Sequence, residues 1–180
     1  LLSDERLDLV KMRVDVALRT GALPDSGMVA RKLGSAKRVF CASPAYLARR
    51  GTPETPADLK HHDCIVTGGS TDGTSWVFAG DGGNETVAVN GRFSANVMSF
   101  ALTAAIAGLG IAQVPEGLAL PDLKAARLVP VLEPFVLDGG ALYVVFPSNQ
   151  HVSAAVRAFI DHVTAWAVSW PAREGTSAQH

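Results

Sequence analysis

Hydrophobic residues recur with two different periods along this chain, and the change between them predicts helices that alternate with strands. The last segment has the helical period, because apolar residues stand at offsets of 0, 4, 7, 8, 11, 14 and 15 from Val152. We therefore expect one continuous buried face there, which includes Phe159 and Trp166. A second helix is predicted over 96–107, with a buried stripe that begins Val97-x-x-Phe100-Ala101.

Shorter apolar runs rich in β-branched residues predict strands. Strands are expected at 14–19, 28–33, 38–42, 63–67, 76–78, 86–89, 110–115 and 141–146. The runs 76–78 and 86–89 flank Asp81-Gly82-Gly83-Asn84, which predicts a hairpin with Trp76 and Phe78 packed inside. Short helices are expected over 3–10, after Ser43-Pro44 and after Thr55-Pro56, since a hydroxyl residue before proline is typical of a helix start. Strands that alternate with helices predict the α/β class.

The composition of the chain argues against several classes of protein. The 180 residues carry a formal net charge of −1, and 48% are hydrophobic, which is typical of a folded domain without a nucleic-acid-binding face. No apolar run reaches the roughly 18 residues of a membrane span. Two cysteines, Cys41 and Cys64, are too few for a disulfide framework and favour a reducing compartment.

Three motifs suggest chemistry but are better explained by structure. His61-His62-Asp63-Cys64 lacks the spacing of a metal site, so we interpret it as exposed histidines that end a helix before a strand burying Cys64. Gly108-x-Gly110 follows a helix and precedes a strand, the reverse of a dinucleotide fingerprint, which favours a helix end at Gly108. Ser43 is followed by Pro44 and lacks the glycines of a nucleophile elbow. We therefore predict no enzymatic triad, no metal site and no cofactor.

Several short motifs follow one another in a specific order over residues 3–165. They begin with Asp4-Glu5-Arg6-Leu7 and end with Val156-Arg157-Ala158-Phe159-Ile160-Asp161, and between these they include Val14-Asp15-Val16-Ala17-Leu18-Arg19-Thr20-Gly21, Val39-Phe40-Cys41-Ala42-Ser43-Pro44-Ala45-Tyr46-Leu47, Gly51-x-Pro53-x-x-Pro56-x-Asp58-Leu59-x-x-His62-x-Cys64, Ala107-Gly108-Leu109-Gly110-Ile111-Ala112 and Tyr143-Val144-Val145-Phe146-Pro147. In this order they resemble the effector-binding domain of LysR-type transcriptional regulators.

The resemblance implies a two-lobed, periplasmic-binding-protein-like (type 2) α/β fold with a small molecule held in the cleft between the lobes. It assigns residues 1–40 to a partial lobe one and residues 41–147 to lobe two. Residues 148–170 would form a C-terminal helix that returns to lobe one, and 171–180 a flexible tail. The winged helix-turn-helix, the linker helix and the first strand-helix-strand of lobe one are expected before Leu1, where this chain begins without methionine.

The resemblance also implies that the chain senses a small anionic effector for a cytoplasmic regulator. Such a regulator would act as a homo-oligomer, a dimer or a tetramer, and would reach DNA only through its N-terminal domain, without contacting membranes. It would not be an enzyme. The family's effector contacts, carried over residue by residue, fall at Arg19, Thr20, Gly21, Ser43, Pro44, Thr67, Gly68, Asn96, Val97 and Met98.

The chemistry of these positions suits an anion, although structural roles stay open. Arg19 offers a bidentate donor, Thr67 a hydroxyl, and the helix after Asn96 its unpaired N–H groups. Alternatively, Arg19 pairs with a neighbouring carboxylate, Thr67 only ends a strand and Asn96 only caps a helix. A solute-binding protein of a transporter shares the expected fold and is the alternative function. An enzyme that depends on Ser43 is a third reading.

Overall fold

The structure is a computed structural model that describes residues 14–20, 28–67, 75–147 and 153–169. Its strands are β1 (Ala17–Thr20), β2 (Met28–Ser35), β3 (Arg38–Ala42), β4 (Cys64–Thr67), β5 (Ser75–Gly80), β6 (Gly83–Ala88), β7 (Gly91–Ala95), β8 (Ile111–Pro115), β9 (Val129–Val131) and β10 (Ala141–Pro147). Its α-helices are α1 (Pro44–Arg50), α2 (Met98–Ile106), α3 (Glu116–Lys124) and α4 (Ala154–Ser169), and 3₁₀ helices span Pro56–His61 and Glu133–Phe135. The helix expected over 3–10 lies outside the described residues.

The described chain divides into two compact units. One spans Lys37–Asp138 and is called the central unit here. The other, the terminal unit, combines the described residues up to Ala36 with those from Gly139 onward. These boundaries differ from the predicted ranges of 1–40 and 41–147, because the whole of β3 pairs within the central unit and β10 within the terminal one.

The terminal unit is a three-stranded antiparallel sheet with α4 packed against it. The strand order is β1-β10-β2, so β10 is the middle strand. The prediction placed residues 141–147 in lobe two, which is wrong because β10 pairs with both β1 and β2. Val144 of β10 forms a small core with Ile160 and Val163 of α4.

The buried face of α4 is narrower than the sequence period predicted. Ile160 and Val163 are buried, but Phe159 and Trp166 are 42% and 43% exposed. At 100° per residue, Val156, Ile160 and Val163 share one stripe, whereas Phe159 and Trp166 stand on its flank. The expectation that Trp166 fills a large buried site is therefore wrong, and replacing it should cost less than the few kcal/mol typical of a buried tryptophan.

The central unit is built on a five-stranded sheet with one core on each face. The strand order is β7-β4-β8-β3-β9, with β4 parallel to both β7 and β8, and β3 antiparallel to β8. Successive residues of β3 point to opposite faces, so Val39 and Cys41 join α2 and α3 while Phe40 joins Tyr46 and the β5–β6 hairpin. The predicted hairpin is confirmed, with Trp76 and Phe78 buried on its inner side.

Helix α2 confirms part of its predicted pattern. Ala101, Ala104 and Ala105 are buried, but Phe100 is 63% exposed. The helix begins at Met98 with Val97 as its N-terminal cap residue, so Asn96 does not cap it. It ends as predicted, because Gly108 adopts φ +78° and donates to the Ala105 carbonyl over 3.0 Å.

The two cysteines are buried on opposite faces of this sheet. Cys41 belongs to the core beneath α2, and Cys64 to the core beneath the hairpin. Burial raises the pKa of each thiol to about 12. Since only the thiolate reacts readily, these side chains are suited to packing.

We predict that neither thiol reacts with an aromatic disulfide reagent at pH 8 in the native chain. The raised pKa leaves roughly a thousandfold less thiolate than an ordinary cysteine has, and burial also blocks access. Absorbance should report almost no labelling before urea is added and labelling of both cysteines after it. Rapid native labelling, at the rate of free cysteine, would contradict the described burial.

Candidate functional site

Four of the predicted effector contacts lie together at one end of the central sheet. Strands β4 and β7 are parallel neighbours with Thr67 in register with Ala95. Thr67 ends β4, and Asn96 directly follows β7, so both stand at the carboxyl ends of their strands. Val97 and Met98 then lead into α2. We call Thr67, Asn96, Val97 and Met98 the carboxyl-end set.

The carboxyl-end set offers hydrogen-bond donors to an anion. The carbonyl of Val97 accepts from the N–H groups of Phe100, at 3.1 Å, and Ala101, at 3.4 Å, which starts the helical ladder. The N–H groups of the residues just before Phe100 stand beyond that ladder, at the positive end of the helix dipole. The first turn of α2 contains no acidic residue that would offset this charge. Thr67 adds a half-buried hydroxyl and Asn96 an exposed amide.

Ser43 and Pro44 lie at the opposite end of the same sheet. Strand β3 runs against β8, and β4 runs with it, so Ser43 follows β3 near the amino end of β4. A Cβ built on Gly108, beyond the far end of α2, would stand 3.3 Å from Ser43 Oγ. The nine residues of α2, roughly 14 Å of helix, thus separate Ser43 from Asn96. The structure does not bring Ser43 and Pro44 together with the carboxyl-end set.

Ser43 has a structural role where it lies. It is 3% exposed, and its Oγ accepts a hydrogen bond from the backbone N–H of Tyr46 over 3.3 Å. It therefore caps α1, as the Ser-Pro pair predicted. In the part of the chain that the structure describes, Ser43 has no side-chain hydrogen bond to a histidine.

The remaining predicted contacts lie in the terminal unit or outside the described residues. Arg19 and Thr20 end β1, opposite Tyr143 and Leu142 of β10. Arg19 is half-buried and Thr20 is exposed. Gly21 and Gly68 lie outside the described residues.

The sequence did not predict a hydrogen-bonded cluster around Tyr46 at the amino end of β4. The Tyr46 hydroxyl accepts from the N–H of Asp63 over 2.9 Å and lies 3.2 Å from Nδ1 of His62. The expectation of two exposed histidines is wrong for His62, which is only 7% exposed. Its burial, followed by the nearby Arg50 charge, lowers the pKa of His62. Tyr46 is 16 residues before His62, so no local spacing signals this contact.

Two kinds of feature are absent from the described residues. Among them, no group of three or more histidine, cysteine, aspartate or glutamate side chains could hold a metal ion. No helix within the described ranges is long and apolar enough to cross a bilayer.

A family comparison decides the identity of the domain. The model of the LysR substrate-binding domain matches residues 1–168. This chain belongs to that family. The predicted resemblance is therefore confirmed, and the domain is the effector-sensing domain of a LysR-type regulator.

Relatives of this LysR-type domain include named transcriptional regulators. It is 34% identical to the probable HTH-type transcriptional regulator LtrA of Klebsiella pneumoniae over 168 residues, which is 91% of this chain and 54% of that protein. It is 32% identical to the HTH-type transcriptional regulator PtxR of Pseudomonas aeruginosa, over 89% of this chain and 52% of PtxR. The chain thus spans about half the length of the curated relatives it matches.

Solved structures of the family share its fold. The regulatory domain of CrgA, a LysR-type regulator from Neisseria meningitidis, superposes with a TM-score of 0.78 at 28% identity, over 91% of this chain and 80% of that one. The full-length virulence activator AphB of Vibrio cholerae gives a TM-score of 0.76 at 30% identity, over 92% of this chain and 56% of AphB. The predicted periplasmic-binding-protein-like α/β fold is confirmed by this likeness.

Proposed function

We propose that this LysR-type domain senses a small anionic effector at the carboxyl-end set and thereby controls a DNA-binding transcriptional regulator. The observation that carries the proposal is the register of β4 and β7, in which Thr67 pairs with Ala95, two residues before the cap residue of α2. An anion there would receive hydrogen bonds from Thr67 and from the first N–H groups of the helix. Binding would favour one conformation of the domain over another.

The activity of the whole protein is part of the same proposal. By analogy with its relatives, the regulator would bind DNA through a domain other than this one, act as a homo-oligomer and work in the cytoplasm. The near-neutral charge of this chain supports a sensing role, since a DNA-reading surface is normally basic. The alternative, a solute-binding protein of a transporter, is not favoured because the named relatives are transcriptional regulators.

Arg19 and Thr20 remain proposed contacts from the terminal unit. The guanidinium of Arg19 can bind a carboxylate through two parallel hydrogen bonds. Ser43 and Pro44 are left out of the proposed site, because they lie at the other end of the central sheet.

Replacing Thr67 with alanine should weaken effector binding about tenfold or more, because a hydrogen bond to a charged group contributes roughly 1.5–3 kcal/mol. A panel of small carboxylates and phosphate esters would first be screened by thermal shift, since a ligand that binds only the folded state raises the melting temperature. Calorimetry would then compare the best ligand on the native chain and on Thr67→Ala.

Thr86→Ala is the matched control, because Thr86 is exposed on the β5–β6 hairpin and should leave the affinity unchanged. Equal affinities of Thr67→Ala and the native chain would remove Thr67 from the site. If no anion in the panel stabilises the chain, the anionic class itself is contradicted.

A further inference from the structure

A polar cavity lies at the amino end of the central sheet, away from the carboxyl-end set. It has a volume of about 600 Å³, within the range of small-molecule sites. Its walls come from the end of α1, the end of the 56–61 3₁₀ helix and the residues that enter β7. Among the side chains that line it are those of Arg50, Lys60, His61, Asp63 and Arg92.

Asp63 is held firmly in the wall of this cavity by its backbone. Its N–H donates to the Tyr46 hydroxyl over 2.9 Å, and its carbonyl accepts from the N–H of Ile111 over 2.9 Å. Tyr46 and Ile111 are fully buried, so both partners are fixed by the core. The backbone of Asp63 therefore has a set position, from which its side chain reaches the cavity.

Two guanidinium groups approach that carboxylate from different elements. Arg50 Nη2 lies 3.8 Å from Oδ2 of Asp63, and Arg92 Nη1 lies 3.6 Å from Oδ1. Both distances exceed the 2.7 Å of the closed pair between Arg127 and Asp122. Arg50 is oriented by donating from Nη2 to the His61 carbonyl over 3.0 Å. Neither guanidinium is closed onto Asp63, so Arg92 can turn toward a ligand, and Arg50 keeps N–H donors other than the one that His61 accepts.

The charge in the cavity favours an anion. Three basic side chains, Arg50, Lys60 and Arg92, line the cavity together with one carboxylate, and the exposed His61 adds a further polar group. A ligand that competes with Asp63 for the two guanidinium groups binds more strongly if it carries more than one negative charge. A phosphate group carries nearly two charges at neutral pH and matches the guanidinium fork.

We infer that this cavity is a second ligand site of the domain, which takes a small molecule bearing phosphate. The site is distinct from the carboxyl-end set. Asp63 directly precedes β4, whereas Thr67 ends that strand, and four residues of strand span roughly 13 Å. The two sites therefore bind separately, and the inference stands or falls independently of the proposed effector site.

Inorganic pyrophosphate is the probe that tests this site, with affinity measured by calorimetry on the native chain and on four variants. Arg92→Gln should weaken binding about tenfold, since it removes one charge-assisted contact from a side chain that is 81% exposed and not needed for folding. Lys124→Gln removes another exposed basic side chain, on α3, and should leave the affinity unchanged. Thr67→Ala distinguishes the two sites, because a loss of pyrophosphate affinity in Thr67→Ala but not in Arg92→Gln would place the binding at the carboxyl-end set and overturn the inference.

Asp63→Asn gives the sharpest result, because it should tighten binding severalfold by removing the competing charge while keeping the backbone contacts. Equal melting temperatures would show that the variants are folded. The inference is overturned if pyrophosphate does not bind at millimolar concentration, if Lys124→Gln weakens binding as much as Arg92→Gln, or if Asp63→Asn weakens it. It is also overturned if a DNA duplex, and not pyrophosphate, binds in a manner that depends on Arg92.

Discussion

Replacing Phe40 with alanine should lower the free energy of unfolding by about 4 kcal/mol, the largest effect we expect from any single change. Phe40 is 1% exposed, and its ring stacks on Phe78 with centroids 4.6 Å apart and tilts against Trp76 at 5.2 Å. Alanine would leave a cavity where three rings meet. Urea denaturation followed by tryptophan fluorescence would measure the loss.

Phe100→Ala is the matched control, since it deletes the same atoms from a side chain that is 63% exposed. We expect it to change the free energy of unfolding by less than about 1 kcal/mol. Similar losses in the two variants would mean that Phe40 does not fill the core described between β3 and the hairpin.

Replacing Gly110 with alanine should cost about 3 kcal/mol, because the new methyl group would overlap the backbone of Asp63. A Cβ at Gly110 would contact the carbonyl oxygen of Asp63 and stand 2.9 Å from its carbonyl carbon. A rigid backbone cannot yield as a side chain can, so β8 would have to move away from β4. That movement would also weaken the hydrogen bond from the Ile111 N–H to the Asp63 carbonyl. A melting temperature lowered by roughly 10 °C would report the effect.

Gly82→Ala tests whether the loss comes from this contact or from the alanine itself. Gly82 lies in the exposed hairpin turn, and a Cβ there meets nothing within 4 Å. Its melting temperature should stay within about 2 °C of the native value. An undisturbed Gly110→Ala variant would instead show that β8 and Asp63 are farther apart than the structure places them.

The sequence correctly predicted those helix ends that are marked by capping residues. The Ser43-Pro44 start of α1 and the glycine after α2 were both located correctly, because capping depends on neighbouring residues alone. Helix α3 was not predicted, since it carries Pro121 in its interior and shows no clear apolar stripe. This helix is stabilised by the packing of Leu118, Ala119 and Leu123 against the core. The spacing of hydrophobic residues in the sequence does not reveal that packing.

The candidate site was predictable only where strand direction could be inferred. The resemblance placed Thr67 and Asn96 correctly at the ends of strands, and the structure shows that these strands are parallel neighbours. The resemblance grouped Ser43 with Thr67 and Asn96, because Ser43 also follows a strand and precedes a helix. Only the antiparallel course of β3 against β8 reveals that this strand ends on the opposite side. The cavity around Asp63 was missed because its basic residues come from segments 10 to 42 residues apart in sequence.

Helix α2 is tied at the end that lies away from the candidate effector site. Arg49 of α1 donates from Nη2 to the Gly108 carbonyl over 3.0 Å, just beyond the last turn of α2. A ligand that binds the first turn, at Met98, would therefore act on the end of α2 that lies about 14 Å from this hydrogen bond. Any displacement of that first turn would move the exposed Phe100 with it. A bound anion of a few atoms could in this way reposition an apolar side chain on the outside of the domain.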